Sequence, residues 1–458
     1  MNKEKPFGLV DKIGYAFGDL ANNLTFVISA VFLLKFYTDV MGVSAKLVGL
    51  MMMLGKIVDA FTDVTMGQIV DRSTPTEKGK FIPWIRRTCG PIAVATVLLF
   101  PVWFRDMSMG FKIFWMFFSY LLWGSVCYTA INIPYGSMAS AISPNPKDRV
   151  SLSTWRTVGA TVGIMIVGVI APLFVFYKNE SGKTVLSSPA LCATAVIVAV
   201  LMVACYLLCY HLSTERVKVE KVKNDFSVKM LLSVLVRNRS FVGIIIPSLL
   251  LLLTQLSLTS TGAYIYPNYF GSVKALSVAT LLGTIVTFAF TPVTAKLATV
   301  AGKKELSVLT ALISTAALAV LLIIRTKSIV LWFVLYTVAY IGIAMFSLIC
   351  WAMITDVIDD IELKSGQRAD GSVYSVYSFA RKLGQAAASG LTGILLSAVG
   401  YTKATAFEPS VVNGIYTITC IVPLCGYVLF VLALGLVYPL TKAKVEENAA
   451  KLQEKRNK

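Results

Sequence analysis

The sequence predicts an all-α polytopic membrane protein, and three observations lead to that fold class. Of the 458 residues, 56% are hydrophobic and only 14% are charged, with a mean hydropathy of +0.74. A soluble protein of this length would need far more polar surface. Apolar stretches of about 20 residues recur along the chain, and each is long enough to cross a bilayer. These stretches are continuous rather than alternating, which disfavours a β-barrel.

We expect twelve membrane spans, arranged as two halves of six helices. Several spans exceed the length that the hydrocarbon layer requires, so we expect those helices to tilt or to extend beyond it. In chain order the predicted spans are residues 12–41, 45–70, 83–104, 111–142, 152–177, 189–212, 241–270, 275–298, 306–325, 328–358, 372–400 and 412–440.

The positive charges predict the orientation of these spans. Of the 42 lysines and arginines, 31 fall on the side of the membrane that holds both termini, and nine fall on the other side. The remaining two, Lys35 and Lys56, lie inside predicted spans. Because positive residues accumulate in cytoplasmic loops, we expect both termini in the cytoplasm. The net charge of +18 therefore reflects topology, and we expect no nucleic-acid partner.

A long basic loop divides the chain. Residues 213–240 separate an N-terminal half, 1–212, from a C-terminal half, 241–440, and residues 441–458 form a basic cytoplasmic tail. A weak internal repeat supports this division, because "GQIVDRSTPTEKGKF" follows span 2 and "PVTAKLATVAGKKEL" follows span 8. Twelve spans, a basic central loop and a repeated loop together resemble the major facilitator superfamily.

The second predicted span carries three charged residues, Lys56, Asp59 and Asp63. A charge at bilayer depth costs about 2.5–3.5 kcal/mol on insertion scales, so three of them need a reason. Their i, i+3, i+7 spacing places them on one helix face. One interpretation is a buried ion pair that stabilises packing. The other is a cation site, because two carboxylates one turn apart offer oxygen ligands to Na⁺ or accept a proton.

Span 11 carries cations that complement these acids. Arg381 and Lys382 lie in "YSVYSFARKLGQ", among apolar and small residues. A lysine in this setting needs a carboxylate partner, and Asp59 or Asp63 is a candidate. The alternative is that these cations lie near the cytoplasmic end of the helix and reach the lipid head groups.

Polar side chains in spans 1, 4 and 5 form a second candidate site. They can hydrogen-bond sugar hydroxyls, with an aromatic ring nearby to stack on a sugar ring, whereas the alternative is hydrogen bonding between helices. The residues are Asp19, Asn22 and Asn23 in "GDLANN", Thr129 and Asn132 in "YTAINIPYGS", and Trp155 and Arg156 in "STWRTVGA". The GxxxG pair of Gly159 and Gly163 is expected to pack helices within the bundle, and we expect a monomer.

Several motifs extend the resemblance to a narrower family. The motifs are "KIGYAFGDLANN", "FYTDVMGVS", "DAFTDVTMGQIVDR", "GKFIPW", "INIPYGSM", "RVSLSTWR", "ITDVIDDIELKSGQR" and "YSVYSFARKLGQ". With them the chain resembles the glycoside–pentoside–hexuronide:cation symporters, the group of the melibiose permease. Within this group, "GDLANN", "INIPYGSM", "YSFARKLGQA" and "YPLT" resemble the β-glucuronide carrier. The resemblance implies a multi-pass protein of the bacterial cytoplasmic membrane that carries a small glycoside together with Na⁺ or H⁺.

The same resemblance implies roles for individual residues. Cation-site positions of the family match Asp59, Asp63 and Thr129, and Lys382 matches a lysine close to that site. The resemblance, together with the polar side chains described above, implies a substrate-binding set of Asp19, Asn23, Asn132, Trp155, Arg156, Tyr377 and Lys382, in which Arg156 matches an arginine of the family that contacts sugar. Residues expected to couple the two sites or to gate them are Lys56, Arg381, Asp71, Arg72, Asp356, Asp359, Glu362 and Arg368. Of these, Asp71 and Arg72 follow span 2, and Asp356, Asp359, Glu362 and Arg368 are assigned to the loop between spans 10 and 11. We expect these loop residues to form cytoplasmic salt bridges that latch the outward-facing form. The alternative for the loop charges in this set is simple solvation.

The substrate is predicted from two departures from the family pattern. Asn23 and Asn132 stand where the melibiose permease has aspartates that bind galactosyl hydroxyls, and Gly136 stands where it has a tryptophan that faces the sugar. A carboxylate would repel an anionic sugar at low dielectric, whereas Asn keeps the hydrogen bonding without the charge. With Arg156 and Lys382 available, we predict a hexuronide or glucuronide. A neutral pentoside or galactoside, transported by symport or facilitation, and a lipid-type substrate are the alternatives.

Other function classes lack their sequence signals. An ATP-driven pump would need a GxxxxGK[ST] loop, which the chain does not contain. An enzyme would need a nucleophile and base or a set of metal ligands, and the single histidine, His211, lies at the end of span 6. We therefore expect a transporter with no cofactor other than its coupling ion. Its expected partners are the glycoside, the monovalent cation and the lipid bilayer.

Overall fold

A computed structural model describes residues 6–217, 238–272, 274–365 and 370–457. Helices make up almost all of this part of the chain. They are α1 (Leu9–Asp39), α2 (Ala45–Arg72), α3 (Ile82–Leu98), α4 (Met109–Leu121), α5 (Thr129–Ile142), α6 (Pro146–Met165), α7 (Ala171–Val175), α8 (Ser188–Leu212), α9 (Arg239–Tyr264), α10 (Ala275–Ala301), α11 (Lys303–Ile324), α12 (Ile329–Ser365), α13 (Asp370–Ala398), α14 (Pro409–Leu432) and α15 (Lys442–Asn457).

Short irregular segments connect or extend these helices. A 3₁₀ turn, Val102–Phe104, follows α3, and the strands β1 (Phe176–Lys178) and β2 (Thr184–Leu186) form an antiparallel hairpin with Tyr177 opposite Val185. The π-helical segments are Leu122–Tyr128, Ile166–Ile170, Ile265–Tyr269 and Ala433–Val437. The first of them joins α4 to α5 without a break, so Met109–Ile142 is continuous as a spanning segment.

Within the described residues, nine helical segments are long and apolar enough to span a membrane. The predicted spans 45–70, 83–104 and 372–400 are helical but are not among the nine. The first of these segments is excluded because Lys56, Asp59 and Asp63 bring three charges into the middle of α2, and the second because α3 has only 17 residues. The polytopic all-α class is confirmed, and the count of twelve spans stays a prediction.

The chain divides into two compact units. The first comprises Met1–Asn224, Gly262–Thr280 and Gly393–Val411, and the second comprises Asp225–Thr261, Leu281–Thr392 and Val412–Lys458. In addition to the predicted N-terminal half, the first unit thus includes the end of α9 with the start of α10, and the end of α13 with the start of α14. The predicted boundaries at 213, 240 and 440 are not tested by this division.

In the first unit, α1 packs on α6 and α8. Gly159 and Gly163 of the predicted GxxxG pair bring α6 close to α1. A Cβ on Gly159 would collide with the main-chain oxygen of Ala16, and one on Gly163 would lie 2.9 Å from that of Leu20. The pair therefore packs helices within one unit, as the sequence predicts.

A buried polar network closes one end of the first unit. The Nζ of Lys35 lies 3.0 Å from Oδ2 of Asp39, 3.1 Å from the hydroxyl of Tyr401 and 3.3 Å from Oδ1 of Asn268. The Tyr401 hydroxyl donates to Oδ1 of Asp39 at 2.8 Å, and the Tyr264 ring centroid lies 4.5 Å from Nζ. Lys35, a charge that sequence analysis leaves without a role, thus links α1 to 262–280 and 393–411.

At the other end of the first unit, a carboxylate stands at the start of α3. Glu215 accepts hydrogen bonds from the main-chain N–H groups of Lys80, Phe81 and Ile82 at 2.7, 2.8 and 2.6 Å. Burial raises the pKa of Glu215 above its ordinary value, although these N–H groups oppose the shift. The residue thus satisfies donors that the first turn of a helix leaves without intrahelical partners.

In the second unit, α11 packs on α12, and the tail helix α15 contacts both. A buried carboxylate, Asp360 on α12, organises this region. It accepts hydrogen bonds from the Ser240 hydroxyl at 2.6 Å, from Nζ of Lys364 at 2.6 Å and from Nδ2 of Asn448 at 3.2 Å. These contacts tie the start of α9 and the tail helix to α12.

Candidate functional site

The predicted cation-site residues lie together in the first unit. Asp59 on α2 is buried, and its Oδ2 accepts a hydrogen bond from Nζ of Lys56 at 2.9 Å. Its Oδ1 accepts a hydrogen bond from the Ser125 hydroxyl at 2.6 Å. Gly124 permits this approach, because a Cβ there would lie only 3.0 Å from Oδ1 of Asp59. Asp59 therefore forms an ion pair with Lys56, and it also lies beside another oxygen that could bind a cation, so it fits both interpretations of the α2 charges.

Asp63 lies one turn after Asp59 on α2 and is half-buried. Its Oδ1 accepts a hydrogen bond from the hydroxyl of Thr129, the first residue of α5, at 2.8 Å. That hydroxyl also lies 3.2 Å from the main-chain oxygen of Gly124. Carboxylate, hydroxyl and carbonyl oxygens are the ligands that hard cations prefer. The donor set therefore fits Na⁺.

A second cluster joins α1 to α6. The Nε of Arg156 donates to Oδ1 of Asp19 at 3.1 Å, and Nδ2 of Asn23 donates to Oδ2 of Asp19 at 3.3 Å. The Asp19 side chain is 10% exposed and that of Arg156 is 42% exposed, so the arginine is the more accessible partner. Its two terminal amino groups carry four further N–H donors. The cluster can therefore offer several donors to a polar or anionic ligand.

Two tyrosines support the arginine. The rings of Tyr15 and Tyr135 stack with centroids 4.7 Å apart, and the Tyr135 hydroxyl donates to the main-chain oxygen of Tyr15 at 2.8 Å. The Arg156 guanidinium lies 5.5 Å from the centroid of the Tyr135 ring, within cation–π range. Gly18 allows this packing, because a Cβ there would collide with the Tyr135 ring.

The other polar residues of the first unit have different surroundings. Asn132 lies three residues after Thr129 on α5, and Trp155 precedes Arg156 on α6; both are half-buried. Their predicted contacts with sugar stay predictions. Asn22 has a structural contact instead, because its Oδ1 accepts a hydrogen bond from the Tyr206 hydroxyl at 2.7 Å.

The remaining predicted substrate residues lie on α13 in the second unit. The Tyr377 hydroxyl is buried 2.9 Å from Sγ of Cys350. The guanidinium of Arg381 lies 5.9 and 6.0 Å from the ring centroids of Trp351 and Tyr377. Lys382 follows on the same helix and is half-buried. This lysine's predicted pairing with a carboxylate of α2 stays a prediction.

The predicted gating acids of the second half require a correction. Asp356, Asp359 and Glu362 are predicted to lie on the loop between spans 10 and 11, whereas α12 continues to Ser365 and carries all three. Their spacing of three residues suits a helix with a polar face, and Lys303 binds Asp356 there with Nζ 2.7 Å from Oδ1. Arg368 lies outside the described residues.

The predicted gating pair of the first half lies at the end of α2. Asp71 and Arg72 are exposed, and Nζ of Lys80 donates to the main-chain oxygen of Asp71 at 3.0 Å. The loop after α2 therefore folds back on the helix end through this backbone contact. Whether this contact latches one state of the protein stays a prediction.

Three residues of these clusters, Ser125, Tyr15 and Tyr135, are not among the predicted site residues. Ser125 stands four residues before Thr129, so helical spacing could have indicated that both face α2. Tyr15 and Tyr135 lie in "KIGYAFGDLANN" and "INIPYGSM", but nothing in their spacing shows that their rings stack.

The family of the chain follows from comparison with known proteins. The sequence profile of the family described as "MFS/sugar transport protein" matches residues 14–442. The chain belongs to this family. It is therefore a multi-pass sugar transporter of the major facilitator superfamily and not an enzyme.

Individual relatives of this transporter are similar over nearly their whole length. The "Glucuronide carrier protein homolog" of Escherichia coli K12 is 31% identical over 95% of this chain and 93% of its own. The "Putative glycoside/cation symporter YagG" of the same organism is 30% identical over 95% and 93%. These similarities confirm the resemblance to sugar symporters.

The fold agrees with solved transporters. The bacterial homologue of the human lysosomal transporter Spinster, in an inward-facing and occupied conformation, matches with a TM-score of 0.68. The match covers 98% of each chain at 14% sequence identity. At this identity the similarity shows the fold alone.

Proposed function

We propose that this transporter carries an anionic glycoside, a glucuronide or another hexuronide, by symport with Na⁺ or H⁺. The observation that carries the proposal is the Arg156 cluster of the first unit. Arg156 binds Asp19 through Nε, and Asn23 binds the other oxygen of the same carboxylate. The two terminal amino groups of Arg156 can therefore bind a substrate carboxylate. Arginine binds carboxylates in a bidentate manner, and this geometry adds specificity as well as energy. The similarity to the glucuronide carrier protein homolog of Escherichia coli K12 supports the same substrate class.

Coupling is proposed to arise from the carboxylates of α2. A monovalent cation at Asp59, Asp63 and Thr129 would offset negative charge at a depth where charge is costly. The cation cluster lies on α2 and α5 and the Arg156 cluster on α1 and α6, and within this unit α1 contacts α2, α5 and α6. Sugar and cation should therefore each raise the affinity of the other by the same factor. Transport would proceed by alternating access, with both termini in the cytoplasm of a bacterial cell and the protein acting as a monomer.

The test is uptake of a labelled β-glucuronide into proteoliposomes under an imposed Na⁺ or H⁺ gradient. The wild type should accumulate the sugar, and Asp59→Asn should lose accumulation while it retains sugar exchange. Asp106→Asn, which removes an exposed acid from the loop between α3 and α4, is the control and should accumulate the sugar normally.

Three results would redirect the proposal. Uptake of a neutral pentoside or galactoside, with none of the glucuronide, would overturn the anionic substrate and leave the family assignment intact. Equilibration without accumulation in the wild type under both gradients would indicate a facilitator. Competition by a lipid-type compound, with no competition by sugars, would favour the lipid alternative.

A further inference from the structure

Lys56 is a buried ammonium that already occupies part of the proposed cation site. It is 8% exposed, and its Nζ lies 2.9 Å from Oδ2 of Asp59, three residues later on α2. The other oxygen of Asp59 accepts the hydroxyl hydrogen of Ser125. A small cation that binds Asp59 through Oδ2 would therefore have to take the place of the ammonium, because two positive charges this close repel strongly at low dielectric.

The same ammonium has a second set of partners that contains no carboxylate. Its Nζ lies 5.3 Å from the ring centroid of Trp123, 5.6 Å from that of Phe26 and 6.0 Å from that of Tyr120. Three ring faces within about 6 Å form an aromatic cage, in which each desolvated cation–π contact is favourable. The cage is well supported, because the indole N–H of Trp123 donates to the hydroxyl of Thr25 at 2.7 Å.

The charges of this cluster limit how many cations it can take. Lys56, Asp59 and Asp63 together carry one net negative charge when all three are ionised. One monovalent cation brings the sum to zero, whereas two carboxylates without the lysine would carry two negative charges. The lysine therefore lowers the attraction of Asp59 and Asp63 for a cation.

We propose that Lys56 is a tethered competitor of the coupling cation at Asp59. In the cation-free site the ammonium binds Asp59. When the cation arrives, the ammonium gives up Asp59 and is retained by the cage of Phe26, Tyr120 and Trp123. The inference rests on the proposed cation coupling and adds to it a residue that sets cation affinity.

Two substitutions should change cation affinity in opposite directions. Lys56→Met removes the competitor and keeps an apolar side chain in the cage, so Na⁺ should bind at least about tenfold more tightly. Phe26→Leu weakens the cage and leaves the ammonium on Asp59, so Na⁺ should bind about threefold or more weakly. Lys46→Met removes an exposed lysine from the first turn of the same helix and should leave Na⁺ affinity unchanged.

The measurement is isothermal titration calorimetry with NaCl on the purified full-length protein in lipid nanodiscs, without sugar. Circular dichroism and thermal unfolding first establish that each variant is folded. Na⁺ binding that is no tighter in Lys56→Met than in the wild type, including undetectable binding in both, overturns the proposal. If Lys56→Met does not fold, tighter or unchanged Na⁺ binding in Phe26→Leu overturns it. The uptake experiment separates this outcome from a failure of the coupling proposal. If the coupling proposal is wrong, no cation gradient drives sugar uptake by the wild type.

Discussion

Arg156 on α6 donates from Nε to Oδ1 of Asp19 on α1 across 3.1 Å, so the cation that the sequence predicts for an anionic sugar already has a carboxylate partner. The pair is asymmetric in exposure, with the carboxylate nearly buried and the arginine partly open. Burying a charged group is costly unless it is paired, so Asp19 depends on Arg156 for stability. Arg156, in contrast, retains donors for a ligand. This asymmetry lets one residue serve both packing and recognition.

The first prediction concerns this pair. Arg156→Gln should lower the free energy of unfolding by about 1–3 kcal/mol, because Asp19 loses a charged hydrogen-bond donor in a nearly buried position. Adding Asp19→Asn should restore most of that loss without restoring glucuronide uptake. Thermal unfolding and proteoliposome uptake measure the two effects. The control Arg105→Gln removes an exposed arginine and should change neither. Uptake that survives in Arg156→Gln would remove the arginine from the substrate site.

The second prediction concerns the network around Lys35. Tyr401→Phe removes a hydroxyl that donates to Asp39 and lies 3.1 Å from Nζ of Lys35. Leaving buried polar groups without this partner should cost about 1–3 kcal/mol of stability. Thermal unfolding measures the loss, and Tyr177→Phe, at a half-exposed tyrosine, is the control. Equal melting temperatures for Tyr401→Phe and wild type would show that the hydroxyl contributes nothing to the network.

The third prediction concerns the contact between α1 and α6. Gly159→Ala should destabilise the protein by about 1–3 kcal/mol, because the added Cβ meets the main-chain oxygen of Ala16 and the helices must separate. Gly136→Ala is the matched control. No atom lies within 4 Å of a Cβ at that position, and Ala favours a helix over Gly. Yield and melting temperature in detergent measure both. A Gly159→Ala protein as stable as Gly136→Ala would contradict the close approach.

The fourth prediction is a pH dependence at Glu215. Burial raises the pKa of this carboxyl above 4.5 in the folded protein, so the folded state binds the proton more tightly than the unfolded state does. The resulting stabilisation is fully present below pH 4.5 and is lost as the pH rises through the raised pKa. The stability of the wild type relative to Glu215→Gln should therefore fall as the pH rises from below 4.5 to neutrality. Melting temperatures of both proteins across this range test it; a difference that grows in favour of the wild type would give the opposite sign.

Sequence and structure agree most closely where local spacing decides contacts. Lys56 and Asp59 form the ion pair that a three-residue separation on a helix allows. The GxxxG pair on α6 packs against α1 because glycine has no side chain, which lets the backbone of the neighbouring helix come close. Composition alone predicts the polytopic class, since apolar stretches of this length match the thickness of a bilayer.

Contacts between distant segments could not be read from the sequence. Nothing in the spacing of Asp19 and Arg156, or of Lys35 and Tyr401, shows that these residues meet, because their contact depends on how α1 packs against other elements. The acids of α12 were placed on a loop because hydropathy falls where the helix continues. Helical hydrogen bonds persist beyond the apolar stretch when polar side chains find partners, as Asp360 does.

The sequence by itself therefore determined the membrane class, the candidate charges and the face of α2 on which they lie, because these depend on composition and on helical periodicity. Only the tertiary structure decided which side chains from distant segments meet. It placed the rings of Phe26, Tyr120 and Trp123 around Lys56, and it placed Arg156 beside Asp19, since such contacts require side chains from different helices to converge at low dielectric.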